Sequence, residues 1–360
     1  MRRIIAVAAL LLPLAGCSRD AGAPAAAAPV TLAELKAIPK IDVHSHYEHD
    51  DTALVPTLES WNLRSVLVNV FSDNRLIEKG DNMRALEAAH PGRFFLITTF
   101  DPFPIDDPDF AANTIERLEG EIAHGARGVK VWKNIGMEVK DSAGQYVQID
   151  DPRFQPIWDY LAERKIPVLA HIAEPQAAWL PLDTNDPHYG YYSTHPQYHA
   201  YAHPEIPRWE TIIAARDRWV ARNPQLVIVA AHLASLERSV DEVAKRLDAY
   251  PNLYVETAAR FNDLAMQPSE KVRDFMIRYQ DRVMYGTDFG ESDFSRERLD
   301  NGYTQHWSYL ADADSVDFGR PAAWHARVPG LALPRPVLEK IAHLNAERVL
   351  GIPAAAAADR

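Results

Sequence analysis

Histidine and aspartate side chains follow several apolar segments of the chain, at positions where they could bind a metal ion. The segment IDVHSH carries His44 and His46 two positions apart, so both imidazoles point to the same face of an extended chain. PVLAH ends in His171, LVIVAAH ends in His232 and VMYGTD ends in Asp288. Burying such groups is costly unless they are partnered, and imidazole nitrogens and carboxylate oxygens are typical zinc ligands. This pattern predicts a metal site.

Each of these residues has a simpler interpretation when it is taken alone. A single histidine at a strand end is more often hydrogen-bonded within the core, and Asp288 in GTD is typical of a turn. A chance His-x-His pair is also common in a chain with 14 histidines. The combined pattern favours a metal site because four such coincidences would otherwise have to occur at one rim of the same fold.

The elements that must position these side chains alternate between short apolar segments and longer amphipathic ones. The predicted strands are residues 41–44, 65–71, 94–100, 128–132, 167–171, 226–232, 253–257 and 282–287. Helical patterns between them include residues 109–124, 154–164, 209–222, 236–250 and 269–279. Eight strands separated by helices predict an α/β protein with a closed (β/α)8 TIM barrel. An open doubly wound sheet is disfavoured because IDVHSHYE has no glycine-rich turn.

The composition is that of a globular protein with an acidic charge balance. The 360 residues include 38 Lys+Arg and 50 Asp+Glu, which gives a net charge of −12, and 47% are hydrophobic. This much apolar material argues against intrinsic disorder. We expect no nucleic-acid partner, because phosphate binding needs clustered basic residues. The single cysteine excludes an intramolecular disulfide framework.

The amino terminus has the pattern of a secretory signal. Residues 1–16 combine two arginines with an apolar run that is too short to span a membrane. The sequence LAGC resembles a bacterial lipobox, which implies a lipidated Cys17 and a lipid-anchored location at the extracytoplasmic face of the bacterial cell envelope. The alternative is a plain signal peptide with an incidental cysteine. We expect a flexible tether over 17–37, one barrel domain over 38–352 and a disordered tail over 353–360.

A long insertion after the fifth predicted strand is rich in aromatic residues and histidines. Its central part, residues 183–205, contains Tyr189, Tyr191, Tyr192, Tyr198 and Tyr201 among four histidines. Such residues suit a lid over a ring-bearing or sugar-like ligand, but interfaces favour them too. A substrate lid and a homodimer contact therefore both remain open, with Tyr192 and the rim residue Trp132 as candidate substrate contacts.

The motifs together resemble the amidohydrolase superfamily. DVHSH, the strand-end His171 and His232, and YGTD around Asp288 are similar to the branch that includes aminocarboxymuconate-semialdehyde decarboxylase and related TIM-barrel enzymes. The closing segment LEKIAHLNAERVLGI also resembles the terminal helix of that branch. The resemblance implies that one divalent metal ion, commonly zinc, is bound by His44, His46, His171 and Asp288. It also implies that His232 is a catalytic acid–base or electrophilic group.

The predicted ligand set has a chemical consequence that does not depend on the resemblance. Three neutral imidazoles and one carboxylate leave a net charge of +1 around a divalent ion, which would activate a water molecule near neutral pH. His232 or Asp288 could accept the proton of that water. Zinc is the expected ion, although a site of nitrogen and oxygen donors also accepts manganese and other divalent ions.

Three further residues at or shortly after strand ends have alternative roles. Lys130 could bridge a second metal ion after carboxylation, or it could pair with a substrate carboxylate or a barrel acid, which is the interpretation we favour. Glu256 could orient a histidine or contact substrate. Arg260 could bind an anionic substrate or form an ion pair between loops.

We therefore expect a metal-dependent hydrolase acting on an ester, lactone or amide of a small, ring-bearing molecule. The first alternative is a nonoxidative decarboxylase of an aromatic or unsaturated acid on the same site. The second is a binding lipoprotein without turnover, which would not need an acid–base residue such as His232.

Overall fold

Eight parallel strands with intervening helices build the chain into a TIM barrel, as predicted. The computed structural model describes residues 31–72, 75–293, 295–319 and 325–355. The strands are β1 (Lys40–His46), β2 (Leu63–Val68), β3 (Phe94–Thr99), β4 (Val129–Val131), β5 (Val168–Ala170), β6 (Ile228–Ala230), β7 (Leu253–Glu256), β8 (Val283–Met284), β9 (Phe289–Gly290), β10 (Ser315–Gly319) and β11 (His325–Pro329). The last two form a separate antiparallel hairpin.

The order of the strands around the barrel follows their order in the chain. Each of β1 to β7 pairs in parallel with the next strand, and the short β9 pairs with β1. Backbone hydrogen bonds from Val43 to Tyr285 at 3.0 Å and from Asp288 to His44 at 2.8 Å join the eighth strand segment to the first. These bonds close the barrel, so the carboxyl ends of all eight strands meet at one face.

The longer helices cover the outside of the barrel, and the short ones lie in its connections. Two of the short ones, Asn134–Met137 and Ala231–Ala234, contain residues with non-helical backbone angles. Their bounds are Leu32–Ala37, Leu54–Ser60, Leu76–Ala89, Phe110–Ala123, Asn134–Met137, Gln155–Glu163, Tyr189–Thr194, Trp209–Arg222, Ala231–Ala234, Val240–Ala249, Phe261–Ala265, Ser269–Arg278, Arg296–Ala311, Arg335–Glu339 and Asn345–Leu350. Short 3-10 turns lie at Pro152–Phe154, Gln176–Trp179, Pro196–Tyr198, Ala200–Ala202 and Glu291–Asp293, and a π-helical turn lies at Lys340–Leu344. All five predicted helices are confirmed, with small shifts at their ends.

Two apolar clusters form the core. The larger one packs helix side chains such as Trp158 and Trp219 against the strands. The smaller one joins β1, β2, β3, β5, β6 and β8 to residues near the carboxyl terminus, including Leu350. Side chains from strands on opposite sides of a barrel meet in its interior, so the smaller cluster fills the inside of the barrel.

The chain termini differ in part from the expected domain boundaries. The expected tether ends earlier than predicted, because Leu32–Ala37 is a helix that Thr31 and Glu34 cap reciprocally. Pro353 in the expected tail accepts a hydrogen bond from Arg64 through its carbonyl oxygen. The signal, the lipidation site Cys17 and residues 356–360 lie outside the described residues. Within the described part of the chain, no helix is both long and apolar enough to span a bilayer.

Candidate active site

The five polar residues predicted at the strand ends lie together at the carboxyl-terminal face of the barrel. All of them line one pocket of about 750 Å³. Asp288 Oδ1 lies 3.1 Å from His46 Nε2 and 3.4 Å from His44 Nε2. The ring of His232 lies 4.2 Å from that of His171 and 4.9 Å from that of His44, measured between centroids. The barrel therefore gathers residues that are more than 200 positions apart around one point.

Hydrogen bonds fix the orientation of three of these imidazoles. Nδ1 of His44 donates to the Glu256 carboxylate at 2.9 Å. Nδ1 of His46 donates to the Val68 carbonyl at 2.8 Å, and Nδ1 of His232 donates to the Ala258 carbonyl at 2.9 Å. Each bond leaves Nε2 as the ring nitrogen that carries a lone pair. Metal-binding histidines in proteins characteristically donate their second ring nitrogen in this way.

The donor atoms fit a divalent metal ion. His44, His232 and Asp288 each offer a ligand atom, and these atoms lie within 4.8 Å of one another. Nε2 of His171 is buried and has no hydrogen-bond partner in the described part of the chain, as expected of a ligand atom without its ion. A metal also needs deprotonated ligands.

The electrostatics of the pocket keep three of its histidines and Asp288 deprotonated. Burial holds the pKa of His44, His171 and His232 well below the usual value for histidine. Burial opposes ionisation of Asp288, but the neighbouring His232, His46 and His44 nevertheless hold the pKa of its carboxyl well below the usual range. His232 lies as near the shared point as the predicted ligands do, so the division into ligands and an acid–base group stays a prediction.

Glu256 lies behind the histidines, where it supports them. Its side chain is fully buried at the end of β7, and Oε1 accepts both His44 Nδ1 and the backbone N–H of His232, each at 2.9 Å. Oε2 accepts the N–H of Ala258. Gly286 makes room for this carboxylate, since a Cβ there would lie 2.6 Å from Oε2. Glu256 does not line the pocket, so the structure favours the orienting role over the predicted contact with substrate.

The backbone that carries His232 is strained. His232, Leu233, Ala234 and Ser235 all have φ between 51° and 60°, and Asp288 has φ 67°. Such left-handed residues cost on the order of 1 kcal/mol each when they are not glycine. The bond from Ser235 Oγ to Ala173 O at 2.7 Å and the contacts of Glu256 hold this turn. The turn directs His232 from the end of β6 into the pocket.

Asp42 is a buried acid of the site that the sequence reasoning missed. It accepts the backbone N–H of His44 at 3.0 Å, and the N–H and hydroxyl of Thr287 at 3.0 and 2.5 Å. It thereby ties β1 to the segment that carries Asp288. Burial raises the pKa of its carboxyl to about 7. Its position two residues before His44 was the available signal.

Lys130 lies inside the site beside the predicted ligands. Its Nζ is 3.1 Å from Nε2 of His44, and burial lowers the pKa of its amine to about 8. No carboxylate of the described residues lies within ion-pair distance of Lys130. The favoured pairing with a barrel acid is therefore not seen, and the metal bridge and the substrate contact stay open.

The sequence itself places the chain in a family. A family model described as amidohydrolase matches residues 67–352. The chain belongs to the amidohydrolase family. No curated protein matches it in sequence.

Solved structures agree with the fold of this amidohydrolase. It is similar to a TIM-barrel protein from Bordetella bronchiseptica (15% identity, 87% of this chain and 98% of that chain, TM-score 0.52). It is also similar to a 2,6-dihydroxybenzoate decarboxylase from Rhizobium (16% identity, 87% of this chain and 98% of that chain, TM-score 0.51). A third similar structure is a zinc-containing amidohydrolase from Burkholderia multivorans (13% identity, 88% of this chain and 100% of that chain, TM-score 0.50). At these identities the likeness shows the fold alone.

The aromatic insertion and the rim residue Trp132 form one wall of the pocket of this amidohydrolase. Trp132, Tyr191, Tyr192 and Tyr198, which we name the aromatic wall, all line it. The Tyr198 ring lies edge-on to that of Trp132 at 6.1 Å and is stacked with that of Tyr191 at 6.2 Å. The candidate substrate contacts Trp132 and Tyr192 are therefore both at the pocket.

Arg260 also lines the pocket, and it has no ion pair within 4 Å among the described residues. Its side chain is buried, Nη1 donates to Ala259 O at 3.0 Å and Nε has no partner there. Burial disfavours its charge, but Asp263 and Glu237 nearby keep the pKa of its guanidinium raised. The predicted ion pair between loops is thus not formed, and the side chain can receive an anionic group.

Lys133 and Glu174 are buried site residues that the sequence reasoning missed. They follow β4 and β5, in KVWKN and HIAE, and form an ion pair with each other. Both line the pocket. A charged residue just after each of these strands was the signal that could have identified them.

Proposed function

We propose that this amidohydrolase is a metal-dependent hydrolase, in which water attacks the carbonyl carbon of an ester, lactone or amide in a small, ring-bearing substrate. Family membership supports an enzyme of the metal-dependent amidohydrolase type. The hydrolytic reaction is inferred from the way in which the residues of the pocket would accept and donate protons.

The orientation of His232 carries the proposal. Its Nδ1 proton is held by Ala258 O at 2.9 Å, so Nε2 is unprotonated in the neutral ring. The ring lines the pocket beside His44 and His171. An unprotonated nitrogen in this place is suited to accept a proton from water, which is what a general base in hydrolysis does.

We propose that His44, His46, His171 and Asp288 hold one divalent ion. Zinc is the ion that we favour, and manganese is also compatible with nitrogen and oxygen donors. When bound there, the ion supplies a Lewis acid that polarises a carbonyl oxygen and lowers the pKa of water toward roughly 7.

The residues of the chain then account for the movement of the proton. His232 Nε2 accepts a proton from the attacking water as the water oxygen bonds to the carbonyl carbon. The imidazolium returns that proton to the leaving oxygen or nitrogen as the C–O or C–N bond breaks, so water is consumed and an acid and an alcohol or amine are formed. The Ala258 carbonyl keeps Nδ1 protonated throughout and stabilises the imidazolium.

Nonoxidative decarboxylation is a second candidate, which Arg260 supports. This buried guanidinium, without an ion pair in the described residues, faces the same pocket and would pair with a substrate carboxylate. A protein of similar fold is a decarboxylase. The reaction would require His232 to deliver a proton to carbon, whereas its Nε2 is oriented as an acceptor.

The test uses the full-length protein, purified in detergent, with metal content measured alongside turnover. We expect hydrolysis in a panel of esters, lactones and amides, and no carbon dioxide release from aromatic carboxylates. His232→Ala should keep the metal and lower kcat by about 100-fold or more, whereas Asp288→Asn should lose the metal. His124→Ala is the control, since His124 is exposed at the end of the helix Phe110–Ala123 and lies outside the pocket lining. Carbon dioxide release without hydrolysis would favour the second candidate, and metal loss in His232→Ala would make His232 a ligand.

We also propose that Cys17 is lipidated and anchors the enzyme at the extracytoplasmic face of the cell envelope. The lipobox-like LAGC sequence supports this. Cys17→Ala should move the enzyme from the membrane fraction to the soluble fraction, and retention in membranes would argue against a lipid anchor.

A further inference from the structure

We propose that Lys133 and Glu174 form a latch that positions the aromatic wall over the active site, and that the wall selects ligands with a flat ring. This inference rests on the proposed function in that it concerns the substrate of the same site. Its residues lie outside the predicted metal ligands, at the junction between the barrel and the insertion.

The latch is a buried ion pair. Lys133 and Glu174 are each 3% exposed, and they approach from the loops after β4 and β5. Desolvating two charges is expensive, and their mutual attraction compensates only when further favourable contacts surround them. The contacts that surround this pair come from the aromatic wall.

Each member of the pair holds part of the wall. Lys133 Nζ lies 3.7 Å from the ring centroid of Tyr198 and 5.1 Å from that of Trp132. The same Nζ is 3.4 Å from the hydroxyl oxygen of Tyr191. The Tyr192 hydroxyl donates to Glu174 Oε2 at 3.1 Å. The pair thus joins the three tyrosines of the wall to the ends of two barrel strands, beside Trp132, which directly precedes Lys133 in the chain.

These contacts are made within one chain and on the pocket side of the insertion. A cation over aromatic rings and a phenol donating to a carboxylate both have strict distance requirements. Neutralising either charge should therefore let the tyrosines move while the metal ligands stay in place. The latch explains how an insertion of short helices and turns keeps a defined face toward the site.

The face presented by the wall indicates the ligand class. Aromatic rings bind other flat rings by offset or edge-on packing at centroid distances of about 4.5–7 Å. The pocket of about 750 Å³ between the wall and the histidines has room for a ring with a few substituents. A small aliphatic ligand would reach the metal ligands without contacting the wall.

The test compares the binding of benzoate and acetate by calorimetry, in the metal-loaded, full-length protein. Both anions offer a carboxylate, and only benzoate offers a ring. We expect the wild type to bind benzoate at least tenfold more tightly than acetate. Lys133→Met and Glu174→Gln should abolish this preference and keep the metal. The preference is measured as the ratio of the two Kd values, because removing one charge of the pair changes the attraction of the pocket for both anions alike. Lys133→Arg, which retains the cation, should restore part of the preference.

Lys140→Met is the matched control. Lys140 also lies over a tyrosine, with Nζ 4.4 Å from the ring centroid of Tyr146, but neither residue lines the pocket. It should behave as the wild type does. Chymotrypsin cleavage within residues 183–205 should accelerate in the two latch variants only.

Two results would overturn the proposal: equal binding of the two anions by the wild type, or an unchanged preference and cleavage rate in both latch variants. Neither measurement uses turnover. Absence of ester, lactone and amide hydrolysis would therefore refute the proposed function, whereas the latch is tested separately by the binding and cleavage measurements.

Discussion

Glu256→Gln is a sharp test of how the site is built, because it changes one buried carboxylate without changing its size. In the wild type, Oε1 accepts two hydrogen bonds and Oε2 accepts one. A glutamine can keep the bonds to His44 and His232 through its carbonyl oxygen. Its NH2 group then faces the N–H of Ala258. Two hydrogen-bond donors therefore point at each other, whereas in the wild type the N–H of Ala258 donates to Oε2 of Glu256.

The magnitude follows from these contacts. One hydrogen bond is lost with a buried donor left unsatisfied, which costs about 1–3 kcal/mol of folding free energy. The remaining bond to Nδ1 of His44 loses its charge assistance, so the imidazole is a weaker and less well-oriented ligand. Changes in such supporting contacts typically reduce metal affinity by about 10–100-fold, which corresponds to about 1.4–2.8 kcal/mol.

The assay is competition for zinc against a chromophoric chelator, with thermal unfolding recorded for each variant. Glu237→Gln is the matched control. Glu237 is also buried, but its Oε1 accepts Gln176 N at 3.1 Å and its Oε2 has no partner among the described residues. Its variant should bind zinc normally. A Glu256→Gln variant with unchanged zinc affinity would refute the claim that this carboxylate orients His44.

Two further predictions concern the surroundings of the site. Gly286→Ala should weaken metal binding at least tenfold, because the new Cβ would lie 2.6 Å from Glu256 Oε2. Gly120→Ala is the control and should bind metal normally, because a Cβ there would have no neighbour within 4 Å. Equal metal affinities of the two variants would refute the steric argument. His188 is paired with Asp263 at 3.0 Å, and although burial lowers its pKa, the neighbouring carboxylate raises it above the usual value. The charged pair therefore stabilises the fold below the unfolded pKa of about 6.5, and this contribution is lost as pH rises through the raised pKa. His188→Gln should then cost more stability in denaturant titrations at pH 5.5 than at pH 9, and a pH-independent cost would contradict this assignment.

The barrel itself could be predicted because its strands are short and strongly apolar. All eight predicted strands are present, although several are shorter than predicted. The last predicted strand, 282–287, is reduced to β8, and the short β9 lies beyond its predicted end, after Asp288 with its positive φ. Helix Leu76–Ala89 was missed because it buries Lys79 and Gly80 on the face where apolar residues are expected.

The predicted metal ligands could be found because each one lies near the carboxyl end of a strand or shortly after it. In a closed parallel barrel all carboxyl strand ends share one face, so topology alone brings His44, His171 and Asp288 together. Their identities therefore required only the apolar pattern before them. The roles of these residues as ligands and of His232 as the base remain predictions.

The amino-acid sequence by itself determined the family, the barrel and the set of polar residues at its mouth. Only the tertiary structure decided which buried groups support them: Asp42 on Thr287, Glu256 on His44, and Lys133 with Glu174 under the aromatic wall. The reason is physical. Strand periodicity is a local property of the chain, whereas a hydrogen bond or an ion pair forms only when two distant segments pack to within about 3 Å.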